Sequence, residues 1–557
     1  MRVYLPLLWL ALGCSVGVGV VGACGGGNKS GSSGGADSGP GDDSSSSGSS
    51  SGFLGDGNTA EVGPPGDPTT CVAAAMQSSY LGCDYWPTVT ANNVWSVFDF
   101  AVVVANGGMT PAMVTVTGGG TAIPPVTVAP GQLATIYLPW VPALKGADTD
   151  NCGNAVSLTA SVLQAGGAYH LVSSVPVTVY QFNALEYVGQ GGPPGKDWST
   201  CPGNTACSAT GQPLGCYSFS NDASLLLPST AMTGNYRVTG HSTWGSQSIG
   251  AYVAITATKD NTTVSLTVSS TGTVIAGTGI AATAAGGVLT LTMNAGDVAE
   301  LVGTTDATSD LSGSLIHANE AVQVITGLPC LEVPDMALAC DHVEESNFPA
   351  ETFGEDYIVA QPTGPGGNAV GHEVRIYGNF DGTNLTYNPS PPAGCPMSIN
   401  AGQVVDCGIV NGDFEVKGTN SFAVGVFSQG ATVVDPTHSP PNEQGDPDQS
   451  LAIAVKQYRT KYVFLAPTDY EENFAVVIAP TGTMITLDGK PAMGSPSPLG
   501  SSGYGVLRLA LGAGQAGAHE LVATKAVGLQ VMGYGSYTSY MYPGGLDLAQ
   551  IAPPPAN

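Results

Sequence analysis

The sequence predicts an all-β protein: tandem β-sandwich-like repeat units, stapled by disulfides, behind a disordered N-terminal tether. Three observations carry this. Apolar and polar residues alternate with a period of two along most of the chain. One apolar phrase recurs four times. An even number of cysteines follows the leader. The alternation is plain in "MVTVTG", "ATIYLPW", "TTVSLTV", "VLTLTM", "MITLDG" and "VLRLAL". Successive side chains of a strand point to opposite faces, so this is the pattern of half-buried strands. Helical spacing is nearly absent, and "CVAAAMQSSYLGC" (71–83) is the candidate for a short helix.

Composition points the same way. Charged residues are 10 % of the 557, against about 25 % in ordinary soluble domains. Gly, Ser, Thr, Ala and Val are abundant, which suits short strands and tight turns. The net charge of −28, with 14 Lys and Arg, excludes nucleic acid as a partner, because phosphate binding needs clustered cations. For the same reason the folded part does not seek an anionic membrane surface.

At the N-terminus, Arg2 precedes an apolar run from Val3 to Ala23 that ends "VGAC". Residues 1–24 read as a bacterial lipoprotein signal peptide, with Cys24 lipidated and becoming the mature N-terminus. "ALGC", ending at Cys14, is a second possible box, but it would leave apolar residues 15–23 on the mature chain. An uncleaved anchor is the third reading, on length alone. Gly25 follows Cys24, which permits export to the outer membrane in bacteria that sort by that position. The expected location is therefore the cell envelope, lipid-anchored, at the outer membrane or cell surface, with membrane contact through the anchor only.

Residues 25–67 are almost purely Gly, Ser, Asp and Pro and form the tether, since such a segment buries too little apolar surface to offset its ordering entropy. As a flexible coil it spans roughly 35 Å. Its Gly48-Ser49-Ser50-Ser51-Gly52 matches G-x-S-x-G, but no strand or helix surrounds it and it is no nucleophile elbow.

The recurring phrase has the cores Val177-Thr178-Val179, Val322-Gln323-Val324, Val424-Gly425-Val426 and Leu529-Gln530-Val531. Each follows an alternating opening strand ("FAVVVANGG", "AYVAITATKDNTTVSLTV", "VGHEVRIYGNFDGTNLTY", "FAVVIAPTGTMITLDGK"). Each unit also carries a Gly turn: "VAPGQLATI", "MNAGDVAEL", "INAGQVVDC" and "LALGAGQAG". The phrase is read as the closing strand of a β-module, in units 68–190, 191–332, 333–440 and 441–557. Pro176 lacks an N–H, so the first closing strand is expected at a sheet edge.

Ten cysteines follow Cys24 and read as a disulfide set of an exported protein. Cys330 with Cys340 and Cys395 with Cys407 are close enough to pair, and Cys71 and Cys83 flank the candidate helix. Cys201, Cys207 and Cys216 crowd one region, so one of them reaches elsewhere, with Cys152 as the candidate. No C-x-x-C and no finger-type Cys/His spacing supports zinc.

The stretches "AYHLVSSVPVTVYQFN", "DASLLLPSTAMTGNYRVTG", "CDHVEESNFPAETFGEDYIV" and "GDPDQSLAIAVKQYRTKYVFLAPTDYEENFAVVIAPTGTMITLDG" resemble the IgGFc-binding protein N-terminal domain family. Members include mucin-like animal proteins and bacterial surface lipoproteins. The resemblance covers about residues 71–540 and is most specific around 446–489. It implies an extracellular β-rich binding or adhesion module. The antibody Fc ligand of the animal members is not carried over, because no binding residues can be placed on positions here.

Four places could carry chemistry. Asp341, His342, Glu344 and Glu345 form the densest ionisable cluster, readable as two carboxylates beside one cleft or as a loop after a disulfide. The connector 434–450 gathers Asp435, Glu443, Asp446 and Asp448, with Asp446 and Asp448 the calcium candidates against a solvated linker. Tyr85, Trp86, Trp95 and Trp140 read as a sugar platform or as core. His372-Glu373 and His519-Glu520 lie in strand-like sequence, outside any H-E-x-x-H motif. The resulting expectation is a cell-surface lipoprotein acting as a non-enzymatic binding or adhesion module, with an extracellular protein or glycan ligand and no cofactor. The alternatives are a polysaccharide-acting enzyme using carboxylates near 341–345, and a structural envelope spacer.

Overall fold

A computed structural model describes residues 66–557, apart from 121, 440–441, 468–469, 512–516 and 556–557. Cys24 and the tether up to residue 65 lie outside the described residues. The described residues all belong to one compact unit.

Among the described residues the fold is nearly all β, with three short α-helices: α1 (Cys71–Gln77), α2 (Pro142–Lys145) and α3 (Ala431–Val434). The first repeat holds β1 (Gly82–Tyr85), β2 (Phe100–Ala105), β3 (Ala112–Thr117), β4 (Val126–Val128) and β5 (Leu133–Leu138). After β6 (Ser161–Gln164) it closes with β7 (His170–Phe182) and β8 (Ala223–Leu225). The second holds β9 (Asn235–Arg237), β10 (Tyr252–Ala257), β11 (Thr262–Thr267), β12 (Gly277–Thr278) and β13 (Val288–Met293). It continues with β14 (Val298–Val302), β15 (Leu315–Ala318), β16 (Val322–Leu331) and β17 (Asp341–Ser346). The third has β18 (Gly354–Val359), β19 (His372–Gly378), β20 (Thr383–Asn388), β21 (Ser398–Ile399), β22 (Val404–Val410), β23 (Phe414–Phe427) and β24 (Gln449–Leu451). The fourth begins with β25 (Arg459–Ala466), β26 (Glu472–Pro480), β27 (Ile485–Leu487), β28 (Lys490–Pro491) and β29 (Ser497–Pro498). It ends with β30 (Tyr504–Ala510), β31 (Gly517–Gly535) and β32 (Thr538–Pro543).

Each repeat is sandwich-like, and its closing strand belongs to both sheets. The first half of β7 pairs with β3, and its second half pairs with β2 and β8. β23 and β31 do the same with β20, β19 and β24, and with β27, β26 and β32. In the second repeat the strand is cut in two: β15 pairs with β11, and β16 with β10 and β17. The recurring phrase is thus the part of the strand that pairs with the opening strand, at Val104–Val179, Ile255–Val324, Ile376–Val424 and Ala475–Val531.

Two sequence expectations change. β7 is central rather than an edge strand. Pro176 falls between Ser173, the last partner of β3, and Val177, at the irregularity where the strand changes sheets, so no ladder needs its N–H. The Gly turns before β5, β14 and β22 use Gly131, Gly296 and Gly402 at positive φ, as three of the four quoted turns imply. In the fourth repeat a turn with Gly500 and Gly503 at positive φ precedes β30, and "LALGAGQAG" begins at the end of that strand and runs outside the described residues.

The repeats close on one another. β6, from the first repeat's stretch of chain, pairs with β14 of the second. The second and third join through Arg375 and Asp310 at 2.5 Å, the third and fourth through Arg508 and Asp413 at 2.7 Å. The fourth returns to the first: the Tyr80 amide donates to the Leu546 carbonyl at 3.1 Å, and the Tyr180 and Tyr542 rings lie 4.6 Å apart. Opening strands β2 and β10 are therefore buried along their whole length, which is why "FAVVVA" loses the period of two.

Five disulfides staple the fold: Cys71–Cys83, Cys152–Cys207, Cys201–Cys216, Cys330–Cys340 and Cys395–Cys407. Such a set belongs to an oxidising compartment, secreted or at a surface. Among the described residues no helix is long and apolar enough to cross a membrane.

Candidate functional site

The residues singled out from sequence lie at the centre of the molecule. The strands that follow the four closing strands, β8, β17, β24 and β32, pack against one another there. Asp341, His342, Glu344 and Glu345 are on β17 rather than a loop, and each is 0 % exposed. Asp446 and Asp448 are equally buried, with Asp435 and Glu443 nearly so; the acids of the 434–450 connector are buried, while 436–439 and 442 are exposed. Among the described residues no three His, Cys, Asp or Glu side chains are grouped to hold a metal ion.

Both Asp446 side-chain oxygens lack a partner among the described residues, while Asp222 and the other central acids accept hydrogen bonds across repeats. Asp222, just before β8, takes the backbone N–H of Ala223 at 2.8 Å, Glu344 at 2.9 Å, Gln449 at 3.1 Å and Met541 at 3.5 Å, one from each central strand. Glu344 accepts from Thr90 Oγ1 at 2.7 Å, Gln181 Nε2 at 3.1 Å and Ser224 Oγ at 3.2 Å. Glu345 accepts from Ser450 at 3.2 Å, Asp448 from Ser539 at 2.8 Å, and Asp341 from Thr538 at 3.3 Å. Burial holds Asp222, Asp341, Glu345 and Asp446 well above the usual carboxylate range, and the next acid over adds to it: Asp448 for Asp222, Asp446 for Asp341. Burial likewise raises Asp448 to about 7. The backbone N–H groups pull Asp222 partly back. The aromatic group of the first repeat is packed too: Tyr85, Trp86 and Trp95 are buried, and Trp86 stacks on His170 at 4.3 Å.

Open chemistry lies between the second and third repeats, in a cleft of ≈ 1170 Å³. One wall is a sheet face on which cross-strand rows run Thr267–Leu315–Arg237 and Ser265–His317. The opposite wall comes from the turns Asn379–Asp381 and Asn400–Gln403, with Arg375 and Asp406. The walls meet at Gly313 and Gly402. A Cβ on Gly313 would stand 2.2 Å from the Gly402 carbonyl oxygen, and φ is +83° there, so only glycine allows the approach.

Arg237 sits where the walls meet and is 5 % exposed. Its Nη1 donates to the Gly313 carbonyl at 3.0 Å, Nε has no partner, and it makes no ion pair among the described residues. Burial lowers its pKa to about 10, with the Asp381 charge opposing. Among the described residues Arg375 also leaves its Nε without a partner, but unlike Arg237 it has a counter-charge, Asp310 at 2.5 Å, and it donates to the Gly240 carbonyl at 2.5 Å. His317 Nδ1 lies 2.6 Å from Asn235 Oδ1, and its Nε2 has no partner. Arg237 is not among the residues that the sequence singles out. Its signal was scarcity: Arg is found at only five positions, and this one stands at the end of a strand on a polar face.

The molecule is thus a set of disulfide-stapled β-repeats around a buried acidic centre, with a polar cleft between two of them. The family model described as IgGFc binding protein matches residues 222–533, more than half of the chain. The chain belongs to this family of binding domains. The match begins at Asp222 and ends within β31, so it spans three of the central strands, β8, β17 and β24, and both walls of the cleft, and stops short of β32. No curated protein matches the chain. Among solved structures, an anti-sigma factor domain-containing protein from Clostridium clariflavum aligns at 10 % identity and TM-score 0.12, over 56 % of this chain and 81 % of that one. That likeness is too slight to carry any argument.

Proposed function

We propose that this protein is a cell-surface lipoprotein, anchored through Cys24 and its tether, that binds an extracellular protein and works by adhesion, not catalysis. The family match over residues 222–533 carries the reading, because it covers the repeats that build the cleft. The interior supports it. Asp341, Glu344 and Glu345 are spent on hydrogen bonds between repeats and present no atom to a substrate. Four linked units offer several contact faces, and weak sites on one chain gain avidity through effective concentration.

The test is a titration of the oxidised full chain, in detergent, against envelope and matrix proteins of the producing cells and against IgG Fc, with supernatants assayed for released sugars and peptides. Saturable binding to a protein without release is the expected result. Release of product, or no saturable partner in any fraction, would overturn it, the second outcome pointing to an envelope spacer.

A further inference from the structure

We propose that the cleft between the second and third repeats is a carboxylate-recognition site for an extended peptide, with Arg237 as its anchor. The site rests on the proposed binding function and names the chemistry of the ligand. A guanidinium has five N–H donors, and the protein engages one of Arg237's, through Gly313. Burying a cation without an ion-pair partner is costly, and Arg237 is buried with none among the described residues, feeling only the unbonded charge of Asp381, at the head of a cleft wide enough to admit a ligand. A carboxylate is the group whose two oxygens match this planar fork.

The surroundings narrow the ligand further. Asp381 and Asp406, both exposed, stand on the same wall, while Asp310 is neutralised by Arg375. The charge pattern is therefore one cation at the base and two anions on the rim, which fits an acidic residue flanked by basic ones. The net charge of −28 also favours a partner with basic character around its acidic anchor. Ser265, Thr267, Asn379, Asn400 and Gln403 supply polar partners for a peptide backbone. Phe380 and His317 are the rings of the lining, outnumbered there by the hydroxyl and amide side chains that suit a peptide backbone. Peptide is favoured over acidic glycan on that ground.

The experiment uses the full oxidised chain and a fluorescein-labelled peptide, Lys-Ser-Thr-Glu-Thr-Ser-Lys, with its Gln counterpart, read by anisotropy. The Glu peptide is expected to bind saturably and roughly tenfold or more tighter than the Gln peptide. Arg237→Gln should erase that preference. If that variant does not fold, Asp381→Lys on the exposed rim should weaken the Lys-flanked peptide several-fold with the fold intact. Equal binding of the two peptides, no binding, or a preference that survives Arg237→Gln would overturn the site. Stronger binding by oligogalacturonate, tested as a competitor, would overturn the peptide assignment in favour of a glycan. Loss of this site with protein binding retained would leave the wider function standing; loss of protein binding with the peptide still bound would do the reverse.

Discussion

Asp222 at the centre and Arg237 in the cleft are both buried ionisable groups, one just before β8 and one at the end of β9. Asp222 has four backbone N–H donors, one from each central strand, and Arg237 has one acceptor for five donors. The first is a completed site, and everything it needs comes from the chain. The second is incomplete, and what it lacks is an anion. A buried polar group that is fully satisfied ties a structure together, whereas a cation left short beside an open cleft is placed to receive an anion.

The sharpest way to break the comparison is at Asp222. Asp222→Ala removes the acceptor of N–H groups on three other repeats and is expected to cost about 3 kcal/mol or more, read as a lowered denaturation midpoint. Asp222→Asn should cost nearly as much, because its NH2 would face two N–H donors. A near-silent Asp222→Asn would mean the site needs only one oxygen, and the ring of contacts would lose its centre.

Acidity comes next. Burial raises Glu186 and Asp448 to about 7 and Glu300 to about 8. A carboxyl with a raised folded pKa holds its proton more tightly when folded, so its contribution is full below the unfolded value near 4 and is lost as pH rises through 7 to 8. Buried His372, held down to about 3, opposes this: its contribution is present above about 6.5 and declines as pH falls below that. Three acids outweigh one histidine, and the Tm at pH 5 should exceed that at pH 8 by about 3 °C or more. A Tm that climbs between pH 5 and 8 would show that the interior carboxyls are ionised in the fold.

Gly313→Ala tests the back of the cleft. The clash with Gly402 and the positive φ together predict a loss of about 2 kcal/mol and a changed cleft, seen as a lowered melting midpoint and weaker peptide binding. The smallest effects mark the other side of the comparison. Arg237→Gln and Asp381→Asn should shift stability by less than about 1 kcal/mol while changing binding. A large stability loss from Arg237→Gln would make it another tie between repeats and not a site.

Much of this was legible in the residues. The alternation, the four closing phrases and the short helix at 71–77 follow from side-chain direction, which is local. Pro176 was misread for a local reason too: a missing N–H marks an edge or an irregularity, and sequence does not distinguish a strand that ends a sheet from one that changes sheets. The acids of 341–345 and 446–448 were visible as a cluster, but not as an interior. A run of charges usually lies in water, and here the strands that carry them are surrounded by three copies of themselves. Asp222 in "NDASLLL" had a faint signal in the acids that also follow the second and third closing strands.

The sequence alone determined the class: short half-buried strands, Gly turns, an oxidised cysteine set, and four copies of one module, because period, turn chemistry and composition act over a few residues. Only the tertiary structure decided which charges are spent and which are open. That depends on what stands opposite each side chain across repeats, often many tens of residues away, as Glu344 stands to Asp222 and Gly402 to Gly313. Pairings of that range are settled by packing, through burial and hydrogen-bond satisfaction.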